Sequence, residues 1–195
     1  MMMVEHRDLP VAARLSWPLE SYTVKGYRFG QRVRSRVILW ARHLGDDILT
    51  KAGTSIVAIG DGKVVWSEVR PGSSEHRNWG GIVIVGHRHP HTDQSFYSVY
   101  GHLRELTVKE NDIVQLGQHL GVIAAGNTPE NGWWKIPHLH FGIYMGPWMD
   151  QVLPGYVRPL EGRTRLSWWR DPRVFIEQYV PQRNTVAADP ASKNT

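Results

Sequence analysis

Cysteine is absent from all 195 residues. Its absence excludes disulfides, zinc ribbons and thiol catalysis, and any metal must be held by histidine and carboxylate. Long hydrophobic runs are missing as well: no window approaches the roughly 18 apolar residues of a membrane-spanning helix. The first ten residues carry Glu5, His6, Arg7 and Asp8 and contain no apolar stretch of signal-peptide length. Charge of one sign is in small excess, with a formal net charge of +5. A basic surface suits an anionic partner such as a cell wall, nucleic acid or lipid head groups. No Lys/Arg run is dense enough to make nucleic acid the leading partner, and no long internal repeat is evident.

Turn formers and aromatics are plentiful. With 19 Gly and 12 Pro the chain turns often, which favours many short strands over long helices. Hydrophobic residues make up 41% and there are 9 Trp, which argues for one globular domain with a sizeable core. The expected organisation is a flexible arm over 1–15, one β domain over 16–180 with an inserted connection at 145–167, and a disordered tail over 181–195.

The stretch Pro137-His138-Leu139-His140-Phe141-Gly142-Ile143 organises the rest. Pro137 marks the mouth of a strand, because proline cannot donate to a sheet ladder. His138 and His140 then leave the backbone on one face, roughly 6–7 Å apart at their α-carbons. Two imidazoles aimed into one space can share a metal, or one can hold it while the other handles protons. Hydrogen-bonded surface histidines would give the same spacing. His43-Leu44-Gly45-Asp46-Asp47-Ile48 offers a further His and Asp; Gly45 and the lack of helical periodicity point to an extended, kinked segment. A polar turn with a self-capping Asp is its plain alternative.

Elsewhere the chain reads as strands and turns. Residues 33–40 are β-branched and aromatic enough for a strand. Residues 54–59 and 63–66 flank Gly60-Asp61-Gly62 and are expected to pair as a hairpin. Residues 69–79 read as a polar loop, and 81–85 as a buried strand. His87, His89 and His91 could grip a metal, but Pro90 breaks the strand, so a solvated hairpin tip is expected. Residues 96–103 return as a strand with Phe96, Ser98, Tyr100 and His102 on one face. Asp171-Pro172 is an N-cap with proline in the first turn, opening a short helix over 173–180 whose Val174, Phe175 and Gln178 or Tyr179 meet the β domain.

Taken in order, these pieces resemble the lysostaphin/LytM-type zinc metallopeptidases. The matching motifs are Phe29-Gly30-Gln31-Arg32, His43 to Ile48, Gly53-Thr54 through Gly62-Lys63-Val64-Val65, Tyr100-Gly101-His102-Leu103, Ile113-Val114 with Gly117-Gln118, and Pro137 to Phe141. The resemblance covers about residues 16–145, with residues 171–179 similar to the trailing segment. It implies a mostly β fold, a compact antiparallel β-sheet/barrel-sandwich hybrid with a short C-terminal helix. It also implies one zinc ion held by His43, Asp47 and His140, with His102 and His138 as unligated catalytic histidines. Spacing alone leaves open which of His138 and His140 binds the metal; the resemblance assigns His140.

The implied activity is endopeptidase cleavage of peptide bonds in bacterial peptidoglycan, in the cell envelope or outside the cell. A non-catalytic binding or regulatory domain on the same fold, activating other wall hydrolases, is the alternative. A carrier or phosphotransfer domain of related β architecture is a third reading, in which His43 and Asp47 have no role. Three departures from the family pattern stand out. Gly142 replaces a polar or acidic residue, and Asn111 occupies a turn usually held by Gly. Trp133-Trp134-Lys135-Ile136 replaces small residues before the His-x-His strand, and Trp133 and Trp134 are candidate substrate-binding residues at a narrowed cleft.

Overall fold

β-branched and aromatic residues build the long strands of the sheet, and they run consecutively, as in Ile82–Val85, because both faces of the sheet are buried. The computed structural model describes residues 8–34, 40–158 and 164–179. The strands begin with β1 (Arg32–Val33), β2 (Ala41–His43), β3 (Asp46–Leu49) and β4 (Ser55–Val57). The long central strands follow: β5 (Gly62–Arg70), β6 (Gly80–Arg88) and β7 (Ser95–Arg104). After them come β8 (Ile113–Val114), β9 (His119–Ile123), β10 (His138–Tyr144), β11 (Tyr156–Val157), β12 (Trp169–Arg170) and the helix α1 (Pro172–Glu177).

The main sheet is antiparallel, in the order β12-β10-β7-β6-β5-β8, with β3 also beside β10 and β9 joining β4 to β7. A small second sheet has the order β1-β2-β11. The fold is therefore mostly β with one short helix, as expected, and among the described residues the sheet does not close into a barrel. One face of the main sheet buries Val83, Tyr100, Leu139, Phe141 and Ile143 together with Ile56 and Ile176. The other buries Ile84, Val99 and Tyr144 under Trp148 and Trp169. Gly142 permits part of that cover: a Cβ there would meet a Trp169 ring carbon at 3.0 Å.

The N-terminal segment is described from Asp8 onward. There Leu9, Ala12 and Leu15 are buried, and Val11 forms a parallel bridge with Arg88. Residues 1–7 and the expected tail over 181–195 lie outside the described residues.

Several local expectations are corrected. The strands flanking Gly60-Asp61-Gly62 do not form a hairpin: β4 pairs with β9, whereas β5 pairs with β6 and β8. The turn is a corner fixed from outside, because Asp61 accepts a bond from the Leu116 backbone N–H at 2.8 Å and its carbonyl meets His87 Nδ1 at 2.7 Å. Of the first expected strand, 33–40, Val33 lies in β1 (Arg32–Val33) and pairs with Ala41, and residues 35–39 lie outside the described residues. Tyr156–Val157, inside the expected connection, pairs with β2. Asp171 caps α1 through the N–H groups of Arg173 and Val174, as expected, but Val174 is exposed and Ile176 takes the buried place. Asn111 has φ 73°, so the turn survives with asparagine.

Candidate metal centre

The His43–Asp47 segment reaches β10 because of what Gly45 lacks. Between β2 and β3 the chain kinks at Leu44-Gly45, and a Cβ on Gly45 would lie 2.4 Å from the Phe141 carbonyl oxygen and 2.8 Å from His140 Nε2. Without that side chain, β3 lies along β10 with Asp47 directly opposite His140. Cross-strand partners share a face, so the carboxylate and the imidazole point the same way. Asp46 turns to the other face, where it accepts hydrogen bonds from the Tyr22 hydroxyl (2.8 Å) and the Phe29 N–H (2.9 Å) and so holds the register.

Three donors converge as a result. His43 Nε2 lies 3.2 Å and His140 Nδ1 3.1 Å from Asp47 Oδ1, and one donor from each residue falls within 4.8 Å of the others. Tetrahedral zinc with bonds of about 2.0–2.1 Å separates its ligands by roughly 3.3 Å. All three residues are buried, and His43 Nε2 has no hydrogen-bond partner. Buried polar atoms are nearly always satisfied, so an orphaned imidazole nitrogen facing a carboxylate fits a cation. Burial raises the Asp47 pKa, but the hydrogen bond with His140 and the adjacent His43 outweigh it and hold the carboxyl far below its ordinary range. Burial pushes His140 down to about 4 despite the pull of Asp47. An ionised Asp47 carboxylate beside a neutral His140 imidazole is the protonation state a metal requires of these two residues.

His138 stands two residues along the same strand face. Its Nδ1 lies 2.8 Å from the Ile136 carbonyl, so that nitrogen carries the proton. Its Nε2 is 4.0 Å from Asp47 Oδ1. His102 reaches the same face by an irregularity: opposite it the β6–β7 register shifts between Gly81 and Ile82, and His102 takes φ 68°. Simple alternation would have sent it into the core with Phe96 and Tyr100. The β-bulge instead turns its ring to within 4.4 Å of the His138 ring, centroid to centroid. Burial, reinforced by His138 and His140, lowers the His102 pKa well below its usual value, and its Nδ1 has no hydrogen-bond partner.

Trp79 supports this cluster, although nothing in its sequence surroundings singles it out. Its ring meets His140 edge-on at 4.9 Å and lies 5.8 Å from His102, while its indole N–H donates to the Leu153 carbonyl at 3.1 Å. Gly101 makes room for it, since a Cβ there would lie 2.5 Å from the indole. Tyr156 packs its ring 5.1 Å from His43. Both residues sit in stretches without periodicity, where an aromatic carries no signal of its place. A cavity of about 490 Å³ opens beside the cluster, bordered by Asp47, His138 and Trp134. Trp133 does not border it.

The tempting histidines at 87, 89 and 91 are not a metal cluster. His87 is fully buried, not solvated; its two ring nitrogens meet the Asp61 carbonyl and the Ser98 hydroxyl at 2.7 and 2.8 Å. His89 contacts the Tyr179 hydroxyl, and His91 is exposed.

His43, Asp47 and His140, a group that could hold a metal ion, thus lie on an antiparallel β scaffold with two further imidazoles on the same face. The chain belongs to peptidase family M23, whose model matches residues 41–151 and so spans all five of these side chains. The glycyl-glycine endopeptidase ALE-1 of Staphylococcus capitis is 34% identical over 126 residues, 65% of this chain but 30% of that protein. The catalytic domain of the antimicrobial peptidase lysostaphin from Staphylococcus simulans superposes with a TM-score of 0.51 at 25% identity, covering 78% of this chain and 90% of that one. LytU shares the fold, with a TM-score of 0.53 at 20% identity over 84% of this chain and 91% of its own.

Proposed function

We propose that this peptidase is a zinc-dependent endopeptidase that hydrolyses peptide bonds in bacterial cell-wall peptidoglycan. The observation that carries the reading is the convergence of His43, Asp47 and His140 on one point, beside His138 and His102 and at the edge of an open cavity. His43, Asp47 and His140 would hold the zinc. Three protein donors would leave room for water on the ion, which suits a catalytic rather than a structural site. When bound, the metal supplies Lewis acidity, polarising the scissile carbonyl and bringing the pKa of a water towards about 7.

The chain's own groups do the proton work. His138, with Nδ1–H given to Ile136, has Nε2 free to take a proton from the attacking water and return it to the leaving amine. His102, buried and neutral, can donate to the oxygen that gains charge, or steady His138. Peptidoglycan as the substrate rests on the named relatives, a glycyl-glycine endopeptidase and an antimicrobial peptidase. None of the five groups is missing, which counts against a regulator that has lost catalysis.

Purified protein incubated with isolated peptidoglycan should release new amino termini at a rate abolished by a chelator and restored by zinc. Full activity in His140→Ala, or in the presence of chelator, contradicts the reading.

A further inference from the structure

We infer that the cavity beside the metal centre is a carboxylate-binding subsite, which selects peptides with a free carboxylate on an aliphatic stem next to the scissile bond. This rests on the peptidase reading and deepens it.

Three cations, Lys25, Arg77 and Lys135, line the cavity. Among the described residues the sole carboxylate on that lining is Asp47, which already belongs to the His43–Asp47–His140 cluster. Among the described residues none of the three cations enters an ion pair. Exposed lysines are ordinary, but these sit around one concavity, and Arg77 is held there. Its guanidinium lies over the Trp134 ring, 4.9 Å from the centroid. The indole is itself fixed, its N–H donating to the Asn78 carbonyl at 3.1 Å. A guanidinium already held in position loses less freedom when it meets a carboxylate fork, which its geometry matches in a bidentate pair.

The chemistry of the occupant follows from where the cavity lies. Asp47 and His138 border the same space, so an occupant lies beside the bond to be cut and is part of the substrate chain. In a peptide the anion is a carboxylate. Leu49, Ile136 and the Trp134 face supply apolar walls, and Ile136 is 52% exposed. An aliphatic stem between backbone and carboxylate matches both parts of that lining. A bare glycine bridge would leave the three cations without a counterion.

The test uses two synthetic cross-linked peptides, identical except that the carboxylate next to the scissile bond is free in one and amidated in the other. Their affinities are measured by calorimetry on zinc-loaded His138→Ala protein, which binds without turnover. The free-carboxylate peptide should bind about tenfold more tightly, a preference that weakens with added salt. In Arg77→Gln and Lys135→Gln proteins the ratio should fall towards one; both side chains are exposed, so folding is not at issue. Equal affinity for the two peptides, or no binding of either, overturns the subsite. If the preference holds but wild-type protein cuts neither peptide, the subsite stands and the peptidase reading fails.

Discussion

The rings of His102 and His138 lie 4.4 Å apart although they come from strands whose simple alternation would put them on opposite faces of the sheet. The bulge at His102 is the cause, and it costs a left-handed φ at a residue other than glycine. Such strain at a buried residue fits a functional placement. His102→Ala and His138→Ala should each lower kcat by about 10²–10⁴-fold. Zinc content, measured by mass spectrometry, should match wild type in both. Loss of zinc from either variant would reassign that residue as a ligand.

The placement of Trp79 against His140 depends on the missing side chain at Gly101. Gly101→Ala puts a methyl 2.5 Å from the indole, and overpacking of this kind costs about 1–3 kcal/mol. Because the displaced ring faces His140 and His102, kcat should drop along with the melting temperature. An unchanged kcat would mean that the tryptophan merely fills space.

His87 is a buried imidazole remote from the centre, stacked on Phe96 and bonded to Asp61 and Ser98. Burial lowers its pKa from 6.5 to about 4. The unfolded chain therefore takes up this proton at a higher pH than the folded one does. The stability is complete above about pH 6.5 and is lost as the pH falls from there towards 4, by roughly 3 kcal/mol in all. Urea unfolding from pH 7.5 to 4.5 checks this: the decline should be shallower in His87→Gln, whose amide keeps a donor and an acceptor. Parallel slopes for the two proteins would assign the acid sensitivity elsewhere.

The strand at 138–144 and the cap at Asp171 were legible because each is local: alternation sets the first, and an Asp-Pro pair sets the second. The kink at Gly45 was also readable, since glycine and the missing helical period both speak against a helix. What failed depends on distant partners. Residues 54–66 look like a hairpin, but the competing strands β9 and β6 take the edges that a hairpin would have paired. The face of His102 hinges on a bulge defined by Gly81 across the ladder, which period-two reasoning cannot register. His87 looked solvated because a histidine beside Arg88 and Pro90 carries no mark of the Ser98 and Asp61 groups that satisfy it. Trp79 and Tyr156 lie in irregular chain, where only tertiary contact reveals a role.

Metal stoichiometry tests most directly whether His43, Asp47 and His140 jointly hold one zinc ion. Wild-type and His138→Ala proteins, dialysed against zinc-free buffer and analysed by plasma mass spectrometry, should each retain one zinc per chain. His43→Ala, Asp47→Ala and His140→Ala should retain almost none while keeping the β-sheet circular dichroism spectrum. Retention of a full equivalent by Asp47→Ala or His140→Ala would contradict the account.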